Sequence, residues 1–158
     1  MVFFRAMKKM KFDSLPEFMS SFRKIEPLSN FHIIEKCKEL KIMNFKGVFM
    51  RNELNKNRKP TSNECLILNI DHSNNTGTHW TSLFIKNDIP FYFDSYGFRP
   101  PLEVLDYCGR LNKSEGYYHD YKIQKPDEVI CGHYCIYIIY KLSNGYEFEE
   151  ILDELLKL

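Results

Sequence analysis

The spacing of hydrophobic residues changes along the chain and predicts strands in its middle and helices on either side. Residues 66–70 are apolar except for Asn69 and have the length of a strand, and a polar segment follows at 71–78. Residues 79–85 and 89–94 are both rich in aromatic and β-branched residues, and the short polar segment 86–88 between them predicts a hairpin. We therefore expect three neighbouring strands, with a polar loop before the second.

Two other segments carry apolar residues at the three- and four-residue intervals of an amphipathic helix. The first covers about residues 31–42, with Asn30 as its expected N-cap, and the second covers residues 148–156. Residues 102–111 also have helical character, and residues 115–123 are expected to contain a short strand. The chain should therefore combine helices with a sheet.

One domain accounts for most of the chain. Its 158 residues, 44% of them apolar, are enough for one core, and no repeat, linker or low-complexity segment divides the chain after about residue 30. Residues 1–30 combine apolar residues at roughly helical spacing with Pro16 and Pro27, which fits either a helix packed on the core or a partly ordered extension. We therefore predict an N-terminal extension, residues 1–30, and a main domain, residues 31–158.

The composition argues against a membrane-spanning, secreted or disulfide-stabilised protein. The apolar runs are only a few residues long, against roughly 20 needed to cross a bilayer, and residues 1–10 lack the features of a secretory signal. Five cysteines are an odd number without repeated C-x-x-C spacing, which favours reduced thiols over a disulfide framework or a structural zinc site. We expect an intracellular protein.

Charge is distributed unevenly between the two parts of the chain. Residues 1–60 hold 14 Lys and Arg against six Asp and Glu, a net charge of +8, whereas residues 61–158 hold eight against 15, a net charge of −7. A basic segment can bind a polyanion, although a solvated basic surface explains the same charges. Nucleic-acid binding is therefore a secondary hypothesis.

Four residues could together supply the chemistry of a cysteine nucleophile. Such a site needs a base that forms a thiolate–imidazolium pair, a group that holds the imidazole, and donors for the developing oxyanion. His79 is the candidate base, Asp94 the candidate orienting carboxylate and Cys131 the candidate nucleophile. Gln124 lies seven residues before the cysteine, and its amide and the cysteine backbone N–H are the candidate oxyanion donors. Taken singly, each residue has an ordinary structural explanation.

The predicted hairpin offers a geometric test of the His79–Asp94 pair. Facing residues of an antiparallel pair have a constant sum of residue numbers, and a tip at Lys86 and Asn87 gives the sum of 173 that puts His79 opposite Asp94. A slip of one residue would put the two side chains on opposite faces, whereas a bulge near Pro90 could restore their proximity. We predict the register with the sum of 173.

The segment 131–142 begins with the candidate nucleophile and allows two interpretations. Its β-branched and aromatic residues favour a strand, but a largely apolar segment of twelve residues, ended by Asn144 and Gly145, also suits a buried helix, whose dipole would favour a thiolate. Gly132 removes side-chain bulk where a substrate backbone must approach. We predict that Gly132 and Trp80 contact the substrate.

We predict no metal site in this chain. On a helix, His133 would point away from the face shared by Cys131 and Cys135, and no second cluster completes four ligands. Three other histidines lie in polar or surface contexts without a recurring partner: His32, His72 and His119.

In their order and spacing these residues resemble the adenovirus-type maturation cysteine proteases, including the related enzymes of polinton-like mobile elements and virophages. The likeness covers about residues 29–156. Five features carry it: Gly-Thr-His-Trp at 77–80, Tyr-Phe-Asp-Ser-Tyr-Gly at 92–97, Gln124 seven residues before the nucleophile, Cys131-Gly132, and Asn-Phe-Lys-Gly-Val-Phe at 44–49.

The resemblance implies a fold, a site and an activity. The implied fold is a single α+β domain, adenain-like, with a central mixed β-sheet packed against a buried nucleophile helix, which favours the helix for residues 131–142. His79, Asp94 and Cys131 would be the triad, and Gln124 the oxyanion-hole residue. The implied activity is cleavage of capsid precursor proteins during particle maturation, in the host cytoplasm or nucleus and in the virion.

The adenoviral enzymes also use a peptide cofactor joined through a cysteine shortly before the glutamine. Residues 109–123 contain no cysteine, and Cys108 lies farther upstream, so we expect no disulfide-linked activation. The chemistry should need no cofactor, whereas a peptide or DNA activator stays open. We expect a monomer with a protein substrate and no membrane partner.

Two alternatives stay open. A SUMO- or ubiquitin-like-protein-specific protease has a similar His, Asp, Gln, Cys order, but those enzymes usually carry Asp where this chain has Ile130 and a glutamine one residue closer to the cysteine. An inactive capsid-associated binding module could have kept the same fold. The presence of all four chemical residues argues against it.

Overall fold

The computed structural model of the protein describes residues 1–2, 4, 12–54, 58–71 and 79–158. Most of the predicted polar loop at 71–78, with Gly77 and Thr78 of the His-Trp motif, lies outside the described residues. The described residues form α1 (Leu15–Ser20), α2 (Asn30–Glu39), β1 (Phe45–Met50), a 3-10 turn (Arg51–Glu53), β2 (Glu64–Asn69), β3 (Trp80–Lys86), β4 (Ile89–Phe93), α3 (Leu102–Cys108), β5 (Tyr117–Tyr118), α4 (Cys131–Ser143) and α5 (Phe148–Leu156).

The five strands form one mixed sheet in the order β1-β2-β3-β4-β5. The β1–β2 and β4–β5 pairs are parallel, whereas β2, β3 and β4 are antiparallel neighbours. Side chains of β2 alternate between two core clusters: Cys65 and Ile67 pack with α4, and Leu66 and Leu68 pack with α3. Burial on both faces explains the apolar residues at 65–68, and the predicted mixed sheet is confirmed.

Helix α4 packs on one face of the sheet and is buried along nearly its whole length. All residues from Gly132 to Leu142 are buried, and α1, α2 and α5 contact α4. The helical interpretation of this segment is confirmed, because tertiary burial outweighs the strand propensity of its β-branched residues. No helix in the described part of the chain is long and apolar enough to span a membrane.

The described part of the N-terminal segment, residues 12–30, belongs to the same core. Ser14 caps α1 by accepting a hydrogen bond from the Glu17 N–H. Phe18 is fully buried, and its ring centroid lies 5.6 Å from that of Tyr137 in α4. Of the two sequence-based interpretations, a helix packed on the core describes these residues.

Helix α2 begins one residue earlier than predicted. Ser29, and not Asn30, is the N-cap: its hydroxyl accepts from the His32 N–H at 3.3 Å, and His32 Nδ1 accepts from the Ser29 N–H at 3.3 Å. Both residue types are good caps, but this reciprocal pair forms only with the cap at Ser29. The prediction of an Asn30 cap was therefore wrong.

The β3–β4 hairpin is paired two residues away from the predicted register. Lys86 pairs with Ile89, so facing residues have numbers that sum to 175 and not to 173. The turn consists of Asn87 and Asp88, whose φ angles of 51° and 68° are the positive values that a type I′ turn requires. The prediction was wrong because it placed Lys86 and Asn87 at the tip, whereas Lys86 is a paired residue and the tip is Asn87 and Asp88. Since the shift is two residues, every side chain keeps its predicted face.

Candidate active site

Cys131, His79 and Asp94 meet where three elements begin or end. His79 immediately precedes β3, Asp94 immediately follows β4, and Cys131 is the first residue of α4. His79 Nε2 lies 2.7 Å from Asp94 Oδ1, and the Cys131 side chain interacts with the imidazole closely enough to raise the pKa of His79. The structure therefore brings the three predicted residues together.

Asp94 reaches His79 from a diagonal position. Continuing the observed register puts Asp94 opposite Thr81, and His79 lies two residues farther on the same face, within reach of a long side chain. The buried carboxylate also accepts a hydrogen bond from the Tyr96 N–H at 2.8 Å, and the Asp94 carbonyl accepts from the Gly97 N–H at 2.8 Å. Asp94 therefore has two roles: it stabilises the turn at residues 94–97, and it holds the His79 imidazole.

The environment shifts the two pKa values in opposite directions. Burial on its own lowers the pKa of His79, but hydrogen bonds to Asp94 and Cys131 and their negative charges outweigh it and raise this pKa from 6.5 to about 9. Burial on its own raises the pKa of Cys131, but the His79 hydrogen bond, backbone hydrogen bonds of Trp80 and Gly132, and the His79 charge lower it below 9.0. Both shifts favour a thiolate–imidazolium pair.

Of the five free cysteines, Cys131 alone has a pKa below that of an ordinary thiol. Burial raises the pKa of Cys65 and of Cys108 to about 12. Burial also raises the pKa values of Cys37 and Cys135 above that of an ordinary thiol. At neutral pH, the thiolate is therefore concentrated at Cys131.

Gln124 is buried next to the turn that carries Asp94. The Ser95 hydroxyl donates a hydrogen bond to Gln124 Oε1 at 2.6 Å, and Gln124 Nε2 donates to the Glu128 carbonyl at 2.6 Å. An amide nitrogen has two N–H groups, so the second can donate elsewhere. The role of Gln124 as an oxyanion donor stays a prediction.

Trp80 and Gly132 pack against each other. The Trp80 side chain is 7% exposed, and its indole N–H donates to the Leu28 carbonyl at 2.9 Å. A Cβ placed on Gly132 would lie 3.1 Å from Trp80 Cδ1 and 3.3 Å from Leu28 Cβ. Close packing thus gives a reason for glycine here, whereas substrate contact by these two residues stays a prediction.

Two residues of the turn after β4 were missed as parts of the site. Tyr96 stacks on His79, with ring centroids 4.5 Å apart and planes inclined by 23°, and Lys122 lies 5.3 Å from the Tyr96 ring. Ser95 binds the Gln124 amide. The signal in the sequence was their place directly after Asp94, within the motif at residues 92–97.

His119 and His133 lie in different environments, and His72 lies outside the described residues. His119 is 4% exposed, contrary to the polar or surface context expected for it: its ring lies 5.0 Å from that of Phe93, and its Nδ1 lies 2.9 Å from the Tyr121 carbonyl oxygen. His133 is fully buried, with its ring 4.6 Å from that of Phe22. Among the described residues, no group of three or more potential ligands is placed to hold a metal ion.

The mixed sheet and the helix that begins at Cys131 together form a known protease fold. No protein-family model matches the sequence, and no curated protein matches it. A selenomethionine crystal structure of the ASFV pS273R protease matches with a TM-score of 0.60 and 19% identity, over 83% of this chain and 65% of that chain. A second crystal structure of the same protease matches with a TM-score of 0.57 and 18% identity over the same shares.

The chain therefore has the fold of the pS273R protease and spans 65% of the length of these solved structures. The predicted single α+β domain with a mixed sheet against a buried helix is confirmed. The SUMO protease Ulp1, with its catalytic cysteine oxidised to a sulfinic acid, gives a TM-score of 0.38 and 13% identity over 88% of this chain and 68% of that chain. That likeness is too weak to define a shared fold.

Proposed function

We propose that this chain is a cysteine endopeptidase that cleaves viral or mobile-element capsid precursor proteins during particle maturation. The observation that carries the proposal is the convergence of Cys131, His79 and Asp94, with His79 hydrogen-bonded to Asp94, the thiol pKa lowered and the imidazole pKa raised. The fold shared with a protease of ASFV and the resemblance to adenovirus-type enzymes both support a viral or element-encoded substrate.

In the proposed reaction, the Cys131 thiolate attacks the carbonyl carbon of the scissile peptide bond. A C–S bond forms while the carbonyl electrons move onto oxygen, and the proposed donors to this oxyanion are the Cys131 N–H and the second amide N–H of Gln124. His79 then gives its proton to the leaving amine as the C–N bond breaks, while Asp94 keeps the imidazole oriented.

Hydrolysis of the thioester would complete the cycle. Neutral His79 takes a proton from water, the resulting hydroxide attacks the acyl carbon, and Cys131 leaves as a thiolate beside the imidazolium. Each step uses side chains of this chain and a water molecule, so no cofactor is part of the proposed chemistry.

The direct test is incubation of the protein with candidate capsid precursors and, separately, with SUMO and ubiquitin fusions. The wild-type chain and a Cys108→Ala control should cut only the precursors, and Cys131→Ala should cut nothing while keeping its far-UV circular dichroism spectrum. Cleavage by Cys131→Ala would overturn the proposal. Cleavage of the fusions alone would favour the SUMO-type alternative. If no substrate is cut and a thiol-reactive probe labels all five cysteines equally, the result would favour an inactive binding module.

The proposal extends to the setting of the enzyme. We expect a monomer in the host cytoplasm or nucleus and in the virion, and binding of nucleic acid through the basic residues 1–60 is a secondary hypothesis. Binding of this kind weakens steeply with salt, so a fluorescence titration with duplex DNA at two salt concentrations tests it. A titration without a salt-dependent signal would remove nucleic acid from the proposal.

A further inference from the structure

The turn at residues 94–97 joins the two parts of the proposed catalytic site. Its first residue, Asp94, holds His79 at 2.7 Å, and its second residue, Ser95, donates a hydrogen bond to Gln124 Oε1 at 2.6 Å. One turn therefore holds both the His79 imidazole and the amide proposed to donate to the oxyanion.

The orientation of the Gln124 amide decides whether it can stabilise an oxyanion, because only Nε2 carries hydrogens. In the observed orientation, Oε1 accepts from Ser95 and Nε2 donates to the Glu128 carbonyl at 2.6 Å. Turning the amide over would put Oε1 against that carbonyl oxygen and leave two acceptors in contact. The Ser95 hydroxyl and the Glu128 carbonyl thus select one of two orientations.

The backbone of Ser95 is fixed independently of its side chain. Its carbonyl accepts hydrogen bonds from the Ile123 N–H at 2.8 Å and the Gln124 N–H at 2.9 Å. Gly97, at φ +77°, brings the turn so close that an added Cβ would lie 2.5 Å from the Tyr121 carbonyl oxygen. Removing the Ser95 hydroxyl should therefore leave the position of the turn unchanged.

We propose that Ser95 is a positioning residue that holds the Gln124 amide with an N–H towards the oxyanion formed at Cys131. This inference rests on the proposed function, because it assigns to Ser95 a part in the same acyl transfer. Ser95 is fully buried and has no contact with the reacting atoms in this role.

Two reactions of Cys131 separate this role from a structural one. With p-nitrophenyl acetate, the thiolate forms a C–S bond to the carbonyl carbon, the oxygen becomes an oxyanion, and collapse expels p-nitrophenolate. With iodoacetamide, the thiolate displaces iodide from a CH₂ carbon, and no oxyanion forms. Only acylation should therefore respond to the orientation of the amide, while both reactions respond to the thiolate.

In Ser95→Ala, the rate constant of acylation at Cys131 should fall about tenfold, after subtraction of the rate in Cys131→Ala. Loss of a whole oxyanion donor costs on the order of 10²–10³-fold, and the Glu128 carbonyl retains part of the orientation. Alkylation of Cys131 and its pH profile should stay within about twofold of wild type. Ser143→Ala, which removes a hydroxyl-to-carbonyl bond at the far end of α4, is the matched control and should change neither rate.

A double substitution tests whether Ser95 affects acylation through the Gln124 amide. If Ser95 acts through the amide, Ser95→Ala combined with Gln124→Ala should acylate no more slowly than Gln124→Ala alone. The inference would be overturned if the two substitutions slowed acylation by the product of their separate effects, if Ser95→Ala acylated at the wild-type rate, or if alkylation fell as much as acylation. In each of these cases the wild-type enzyme would still be active, so the proposed function would stand. A wild-type chain that is neither preferentially alkylated nor acylated at Cys131 would overturn the proposed function, and this inference with it.

Discussion

Replacing His79 with alanine should turn Cys131 from the most reactive thiol of the chain into an ordinary buried one. In the wild-type protein, the imidazolium counteracts burial and keeps the pKa of Cys131 below 9.0. Without it, burial remains as the largest influence and raises this pKa. At pH 7, the variant should then carry its nucleophile almost entirely as the unreactive thiol.

The structure gives the magnitude. The pKa of His79 rises from 6.5 to about 9, a shift of 2.5 units, or about 3 kcal/mol of net interaction with its partners. A thiol with a pKa of 9.0 is about 1% ionised at pH 7, and each unit by which the pKa of Cys131 rises in the variant lowers the thiolate population up to about tenfold. A more basic thiolate is also a better nucleophile, which restores about threefold per unit. The alkylation rate at pH 7 should therefore fall about threefold for each unit by which this pKa rises.

The assay is the rate of iodoacetamide alkylation at each cysteine between pH 5 and 11, read by mass spectrometry. The wild-type midpoint for Cys131 should lie below pH 9 and the midpoint of His79→Ala above it. Cys108, with its pKa raised to about 12, is the internal reference and should not change. Equal Cys131 midpoints in the two proteins would refute the ion-pair reasoning.

Three further predictions test other parts of the molecule. Asp94→Ala should slow peptide cleavage and move the upper limb of its pH–rate profile below about 9, because the carboxylate helps to keep the imidazole protonated; an unmoved limb would contradict this. Gly132→Ala should destabilise the protein by about 1–3 kcal/mol in urea unfolding by crowding the indole beside it, whereas an unchanged midpoint would mean that the neighbours give way. Phe18→Ala should cost about 3–5 kcal/mol. Phe31→Ala, at an exposed side chain, should cost less than about 0.5 kcal/mol, and equal losses would contradict a buried N-terminal helix.

Local features were predictable where one physical influence dominates. Residues 65–68 are apolar because both faces of β2 are covered, and a sequence pattern records burial directly. The amphipathic pattern of α5 reports a single buried face. The register of the hairpin was not predictable in this way, because Asn87 and Asp88 tolerate positive φ but nothing in the pattern requires it. Two registers that differ by two residues bury the same faces.

Contacts between distant segments were beyond the sequence pattern. The Trp80 indole donates to the Leu28 carbonyl across 52 residues, and nothing in either segment indicates the partner. The Ser95 hydroxyl donates a hydrogen bond to Gln124, 29 residues away in the sequence, and again neither segment indicates the partner. The candidate nucleophile, base and carboxylate were predictable because their chemistry demands particular residue types, whereas the residues that hold them are chosen by packing.

Burial alone would make Cys131 a poor nucleophile, since the other four cysteines show how far burial raises a thiol pKa in this core. Its difference lies in its partners: the His79 side chain and the backbone of Trp80 and Gly132. These partners come from the start of β3 and the first turn of α4, so the thiolate depends on how the helix start sits against the strand. A substitution that shifts this junction by a few tenths of an ångström should therefore lower the reactivity of Cys131 before it unfolds the chain.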